Sequence, residues 1–429
     1  MRHRTQLKAV QRLTIDQLEF ARYINPGDGV IWGQAAAEPV TLTAALMQQR
    51  HAIGAFDAFV GATWSQATAA DHADVVRFSS YCSTANNQFL AKRGMLDVLR
   101  CNYSELAQAI RSHQIKSDVL LLQLARDPRS GRLSLSLGYE YLVPALVTAR
   151  TVIAEVNERA PWTHGDVFVS EERIDILLET AQDPVPPPEL GINEITRSVA
   201  RHVASLIEDG DVLQFGIGSL PEAVLQQLAD RRDLGVHSGA FLDSAAVLCE
   251  KGVITNARKR RDPGVSIAGV VMGGLQSCRF VHCNPTIRFC SVEYTHDHQV
   301  LASIDRFVAI NAAVEVDVMG RVNAEVAAGK HVGAVGGAPD FLRGAMAARG
   351  GKAIVALPST AGRGDSMSSR IVSRLTGPVS TPGEDVGFVV TEYGIADLRG
   401  KSAQERANRL ADIAAPPFRD ELRRNASQR

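Results

Sequence analysis

Short apolar runs alternate with amphipathic stretches along most of this chain. Val30–Trp32, Val119–Leu122, Thr151–Val156, Val212–Phe215, Val265–Met272, Phe307–Ile310, Ala353–Leu357 and Val386–Thr391 are compact, rich in β-branched residues and bounded by polar or glycine positions, so they predict strands. Thr41–Gln49, Ile195–Glu208, Glu222–Arg231 and Ala403–Ile413 space their apolar residues by three and four, which predicts helices. Strands that are apolar throughout, rather than at every second position, are buried on both faces. They therefore belong to mostly parallel sheets covered by helices, an α/β architecture.

The sharpest break in this pattern is Pro184-Val185-Pro186-Pro187-Pro188, which cannot sit inside a sheet and stiffens the chain. It divides an N-terminal α/β domain, 1–183, from a C-terminal one, 189–429, with 184–188 as a linker. An internal echo supports two related open domains. Gly27-Asp28 is followed by an apolar strand, by Gly33 and then by Pro39. Gly210-Asp211 is followed by a strand, by Gly216 and then by Pro221. Gly27 and Gly210 suit the left-handed cap of a preceding helix, and Pro39 and Pro221 suit a first helical turn.

Composition narrows the class. With 429 residues, 45% hydrophobic and 22% charged, the chain has the profile of an ordinary globular protein large enough to need no disulfide staples. Its 46 basic and 47 acidic residues nearly cancel, which removes the broad electrostatic case for nucleic acid or an anionic membrane. No apolar signal core opens the sequence, so a reducing cytoplasm is expected. The six cysteines form no CxxC pair. The crowded Cys278, His282, Cys283 and Cys290 fit no usual zinc spacing, so no metal site is expected.

Five segments carry candidate chemistry, and each is also compatible with an ordinary turn. In Phe215-Gly216-Ile217-Gly218-Ser219-Leu220-Pro221 a strand runs through glycines into a helix start, where free N–H groups attract a phosphate or an oxyanion. The third glycine of a dinucleotide fingerprint is replaced by Pro221, and no Gly-Lys-Ser/Thr follows. Val332–Phe341, with Gly333, Gly336 and Gly337, exposes backbone before another helix. Leu357–Ser366 mixes hydroxyls, glycines and Arg363, a set suited to phosphate or carboxylate. Val292–His298 gathers Glu293, His296 and His298, which are acid–base types. Ala154–Pro161 places polar residues at the end of a strand, where open α/β sheets bind ligands. No GxSxG elbow or HExxH helix is present, which excludes the common serine hydrolases and zinc peptidases.

In their order along the chain, Ala154–Gly165, Phe215–Val224, Leu234–Asn256, Phe307–Phe341 and Ala353–Gly400 with its Thr391-Glu392-Tyr393-Gly394 resemble the acetyl-CoA hydrolase/transferase family. The resemblance implies two α/β domains of the CoA-transferase type with an active site between them. It implies coenzyme A and acyl-CoA as substrates, a small carboxylate as acceptor, no permanently bound cofactor, and a homodimer or higher homo-oligomer. It also implies a glutamate nucleophile that forms an acyl anhydride and then a glutamyl-CoA thioester, with backbone amides of Gly216, Gly218, Gly336 and Gly337 serving the CoA and the oxyanion.

At one point the chain departs from that pattern. The segment that carries the nucleophile reads Val236-His237-Ser238-Gly239-Ala240-Phe241, so Gly239 holds the glutamate's position. His296 aligns with an asparagine that flanks the site in relatives, while Gly337 keeps the glycine that faces the reacting carbonyl. Three possibilities follow. Glu293 substitutes as nucleophile or general base, His296 or His237 activates water for hydrolysis, or the chain is a non-catalytic CoA-binding paralogue or regulatory subunit. A phosphorylated-sugar or nucleotide enzyme is a more distant reading that rests on fold analogy.

Overall fold

A computed structural model describes residues 10–362 and 364–426; Met1–Ala9, Arg363 of the hydroxyl-rich loop and Ser427–Arg429 lie outside the described residues. By packing, the chain forms two compact units. One comprises the described part of 1–101 with 105–188 and 268–293, and the other comprises 102–104, 189–267 and the described part of 294–429. In packing terms, then, 268–293 goes with the residues before the prolines. Val271 donates its N–H to Leu137 O, Phe289 to His164 O and Cys283 to Trp162 O, so the segment is stitched into the first unit by main chain.

The first unit holds β1 (Gln11–Arg12), β2 (Gly29–Trp32), α1 (Val40–Ile53), β3 (Phe56–Val60), β4 (Val76–Ser80), β5 (Leu96–Val98), β6 (Val119–Arg126), β7 (Thr151–Asn157) and β8 (Ile176–Thr180). These strands pair in parallel in the order β1-β8-β7-β6-β2-β3-β4-β5. All four residues of β2 are buried, as its unbroken apolar run requires. Leu42, Leu46 and Met47 of α1 pack with Val30, Trp32 and Phe56 into one core.

The second unit holds α2 (Glu194–Ser205), β9 (Val212–Phe215), α3 (Ser219–Gln226), β10 (Gly235–Val236), α4 (Asp243–Glu250), β11 (Phe307–Ala312), α5 (Ala338–Ala347), β12 (Lys352–Ala356), β13 (Phe388–Thr391), β14 (Gly394–Asp397) and α6 (Ala403–Ile413). Its sheet runs β10-β9-β11-β12-β13-β14, parallel except for the final hairpin β13–β14. Phe307, Phe341, Leu342, Val355, Val389 and Leu410 anchor its core. The expected strand Val265–Met272 is broken at Gly269 into Ser266–Ala268 and Val270–Val271. Helix α3 begins three residues before the expected Glu222, because Gly218, at φ +105°, caps it.

The internal echo has a common local structure in the two units. Asn25 N–H donates to Asp28 Oδ2 (2.7 Å) and Glu208 N–H to Asp211 Oδ2 (2.9 Å). The Asp28 and Asp211 carbonyls then accept from Asp57 and Gly235, at 2.9 Å each, as the next strand begins. Gly27 and Gly210 adopt φ of +85° and +84°, where glycine carries no penalty. Neither caps a helix directly, however: α2 ends at Ser205, and an Asp-closed turn intervenes before Gly210. Strand order reverses at β2, beside β6, in the first sheet and at β9, beside β11, in the second. In open α/β sheets the crevice at such a reversal is where ligands bind.

Two buried carboxyls close the start of α1. Glu38 Oε1 accepts from Thr43 Oγ1 (2.9 Å) and Ser65 Oγ (2.6 Å), and Glu155 Oε2 accepts the Leu42 N–H (3.1 Å). Each keeps one buried oxygen without a donor, Glu38 Oε2 and Glu155 Oε1. Burial pushes Glu38 up to about 7 and Glu155 to about 8. Between the ordinary carboxyl value and those values the folded chain binds more protons than the unfolded one, so stability falls as pH rises through that window. The urea midpoint is expected to drop between pH 5 and pH 9, by a stability loss of roughly 2–4 kcal/mol. Glu155→Gln should flatten that slope, and an unchanged slope in the variant would show that Glu155 does not titrate there.

Candidate functional site

In the second unit, β9 delivers Gly216–Gly218 into α3, and its neighbour β10 delivers His237-Ser238-Gly239. Both loops leave the carboxyl ends of parallel strands at the point where strand order reverses. Beneath the first loop, Gln214 and Asn311 exchange amide hydrogen bonds of 3.3 and 2.9 Å between β9 and β11. The Gly216 N–H donates to Ile310 O (3.0 Å), so it is spent inside the sheet. An anion at this loop would meet Gly218 and the amides that open α3, which have no partner within the helix. Ile217, between the two glycines, is 42% exposed.

The second glycine segment opens α5. Gly336 has φ +57°, Gly337 is the N-cap, and Pro339 lies in the first turn, where its missing N–H removes no helix bond. Residues 102–104 pin this helix start. Tyr103 N–H donates to Gly336 O (3.0 Å), while Ser104 donates from N (3.1 Å) and Oγ (2.7 Å) to Asp340.

His296 joins the two glycine positions. A Cβ placed on Gly239 would lie 3.0 Å from its Cε1 and 3.2 Å from its Nε2, and one on Gly337 would lie 2.6 Å from Nε2. The imidazole is 4% exposed, packed between Phe341 (ring centroids 4.4 Å apart) and Tyr103 (4.8 Å), and its Nδ1 lies 2.8 Å from Thr295 Oγ1. The ring thus fills the space that a side chain at residue 239 would enter. Gly337→Ala should overpack this contact by about 1–3 kcal/mol. Gly239→Ala, with the looser contact, should cost less, and thermal melts of the two variants test the order.

Electrostatics limit what the histidines can do. Burial drives His296 down to about 3, with the neighbouring His237 adding to the effect. His237, fully buried, is held at about 3 by burial and by Lys259. Its Nε2 pairs with Thr295 O (3.2 Å), and Nδ1 has no donor. Both rings are neutral at physiological pH. A base needs a pKa near the working pH, so neither ring as it stands is suited to deprotonating water.

Of the residues singled out from sequence, Gly239, His296 and Gly337 come together, Gly336 adjoins them, and Gly216 and Gly218 occupy the loop on the next strand. Glu293 belongs to the other unit. There Arg111 holds its carboxylate bidentately, Nε–Oε1 3.1 Å and Nη2–Oε2 2.7 Å. A planar guanidinium clamp orients a carboxylate and reduces its availability for attack. Thr295, Tyr103 and Phe341 are not singled out as site residues by the sequence. Thr295 and Phe341 lie within segments flagged there, whereas Tyr103 has no local signal and reaches His296 only through the fold.

The six cysteines are free thiols, and Cys283 Sγ is 3.6 Å from His282 Nε2. Among the described residues no group of three His, Cys, Asp or Glu side chains could hold a metal ion, and no helix is long and apolar enough to cross a membrane.

The chain as a whole has counterparts in sequence and fold. Residues 1–187 match the acetyl-CoA hydrolase/transferase N-terminal domain and residues 274–426 the acetyl-CoA hydrolase/transferase C-terminal domain. The chain is 36% identical over 405 residues to 4-hydroxybutyrate coenzyme A transferase of Clostridium kluyveri, covering 92% of each. It is 31% identical over 424 residues to butyryl-CoA:acetate CoA-transferase of Anaerostipes caccae, covering 96% of this chain and 95% of that one. Among solved structures, RipA from Yersinia pestis superposes with a TM-score of 0.90 at 31% identity over 97% of both chains. The 4-hydroxybutyrate CoA-transferase from Porphyromonas gingivalis does so with a TM-score of 0.80 at 30% identity, again over 97% of both. The chain belongs to the acetyl-CoA hydrolase/transferase family, a family of CoA-transferase enzymes.

Proposed function

We propose that this chain takes a short-chain acyl-CoA and either passes its CoA to a small carboxylate or hydrolyses it, with Gly239 standing where relatives carry the nucleophilic glutamate. Acyl-CoA and carboxylate are then substrates, and no resident cofactor is required. The observation that carries this reading is the His296 imidazole wedged between Gly239 and Gly337 at the strand-end loops. It occupies the room of the absent side chain and leaves residue 239 unable to attack. Attack therefore comes from outside that position: from the acceptor carboxylate itself, giving an anhydride and free CoA thiolate, or from water, giving the acid and CoA. In the first case the thiolate then attacks the acceptor's carbonyl in the anhydride, forming the new thioester and releasing the original acid.

The test is turnover of acetyl-, butyryl-, succinyl- and 4-hydroxybutyryl-CoA, with and without acetate or succinate. Thiol release or CoA exchange supports the reading. Background rates across the panel, together with calorimetric binding of CoA, would favour the non-catalytic CoA-binding alternative. That alternative draws support from Thr295, Tyr103 and Phe341, which contact the His296 ring and none of which bears a carboxylate.

A further inference from the structure

We infer that the amino-terminal edge of the second sheet carries an anion site for a diphosphate group, separate from the glycine loops at the other ends of the same strands. A cavity of about 370 Å³ lies at this edge, lined by Arg258, Arg260, Arg306 and Arg349 together with Asp209 and Asp305. Residues 209–210 lead into β9, 305–306 into β11 and 349–350 into β12, so parallel neighbours in the sheet gather these side chains from distant parts of the chain. Main-chain bonds fix the edge: Val212 donates its N–H to Arg306 O (3.0 Å), and Arg306 donates its N–H to Arg349 O (2.8 Å). A glycine admits one of the arginines, since a Cβ on Gly210 would lie 2.6 Å from Arg258 Cδ.

Carboxylates orient these guanidiniums but are shared among them. Asp305 holds both Arg349 (Nε–Oδ1 3.0 Å, Nη2–Oδ2 2.5 Å) and Arg260 (Nη1–Oδ2 3.3 Å). Arg306 reaches Glu208 and Asp211, each at 2.7 Å, through Nη2, and both acids also serve Lys352. Arg258 meets Asp233 through Nη2 (3.2 Å). The Asp209 carboxylate accepts the Arg232 N–H (2.9 Å). On the cavity wall itself, four guanidinium charges therefore face two carboxylates. Each guanidinium offers five N–H donors, and these contacts use only one or two of them. Arg306 Nε is a buried N–H with no acceptor, a cost that a ligand oxygen would remove. Several planar forks held in place beforehand suit an oxygen-rich, multiply charged anion, and a diphosphate engages more of them at once than a carboxylate does. Gly216–Gly218 and His237–Gly239 follow the carboxyl ends of β9 and β10, whereas this cavity precedes the strands, so its ligand and an acyl-CoA at those loops bind independently.

Titration calorimetry of the full chain with inorganic pyrophosphate at neutral pH tests the assignment, and saturable binding of one equivalent per chain is expected. Arg260 and Arg349 are 76% and 77% exposed, so Arg260→Gln combined with Arg349→Gln removes two forks without unpacking the core. Affinity in that double variant should fall by at least about tenfold. Arg258→Gln, which leaves both partners of Asp305 in place, should weaken binding on its own. Orthophosphate should bind more weakly than pyrophosphate. Coenzyme A bears a diphosphate too, so the decisive control is a titration in saturating CoA, which should leave the pyrophosphate affinity unchanged. ADP distinguishes the sources: ADP binding that weakens in the same variants puts the diphosphate on a nucleoside, and its exclusion leaves a free diphosphate as the ligand. Absence of saturable pyrophosphate binding, an affinity unchanged in both variants, or displacement by CoA overturns the site. Orthophosphate binding as tightly as pyrophosphate overturns the diphosphate assignment.

Discussion

Gly239→Glu combined with His296→Asn is expected to convert this chain into an enzyme that forms a covalent intermediate, while Gly239→Glu alone is not. In the single variant the new Cβ would lie 3.0 Å from His296 Cε1, closer than side chains normally approach, and the carboxylate would have to displace a ring held by Tyr103 and Phe341. Overpacking of this kind costs about 1–3 kcal/mol. The single variant should therefore melt a few degrees lower without gaining exchange. Asparagine is shorter than histidine and lacks its ring. With it at 296 the carboxylate gains room beside the glycines. Incubation with acetyl-CoA should then leave a mass increase on the introduced carboxylate of the double variant, together with acyl exchange. An active, undestabilised single variant would show that His296 does not block the position. A double variant that binds CoA but never acquires the mass would show that residue 239 does not stand where a nucleophile works.

Asp211→Ala should be among the most destabilising single changes in the second unit. Its carboxylate is fully buried and closes the turn before β9 by accepting the Glu208 N–H. It also lies 2.7 Å from Arg306 Nη2 and 3.2 Å from Lys352 Nζ, the latter on a side chain only 14% exposed. Removing the anion frees the turn and leaves Arg306 and Lys352 with only the exposed Glu208 carboxylate, 2.7 and 3.3 Å away, at a cost of about 1.5–3 kcal/mol. Asp28→Ala, at the matching place in the first unit, removes the same turn bond but only the partly exposed Arg150 as ion partner, so its cost should be smaller. Urea melts of both variants give the comparison. Equal losses would mean that the turn, and not the buried cations, carries the effect.

The sequence's apolar runs located the sheet cores well, because strands buried on both faces leave an unbroken apolar signature that neighbouring residues cannot mask. The Gly-Asp echo was equally legible, since a left-handed glycine followed by a turn-closing aspartate is a local demand. What local pattern could not give was the environment of each polar group. Thr295 and His296 sit in a run of polar residues that reads as a wet turn, yet they are 0% and 4% exposed, because the chain buries that run against Phe341 and Tyr103. Glu293, two residues earlier in the same run, is instead clamped by Arg111, 182 positions away. The meeting of the Glu38 and Glu155 carboxyls is hidden for the same reason: 117 positions separate them in sequence, and only the fold gathers both at the first turn of α1.

The first unit draws one of its pieces, 268–293, from well beyond the proline-rich passage. Vectorial synthesis therefore cannot finish this unit when the prolines emerge from the ribosome. The nascent chain must hold an incomplete first unit until residue 293, 105 residues beyond 188, a period when exposed apolar surface invites holdase chaperones. Expressing residues 1–188 as a fragment would reproduce that unfinished intermediate rather than a stable half.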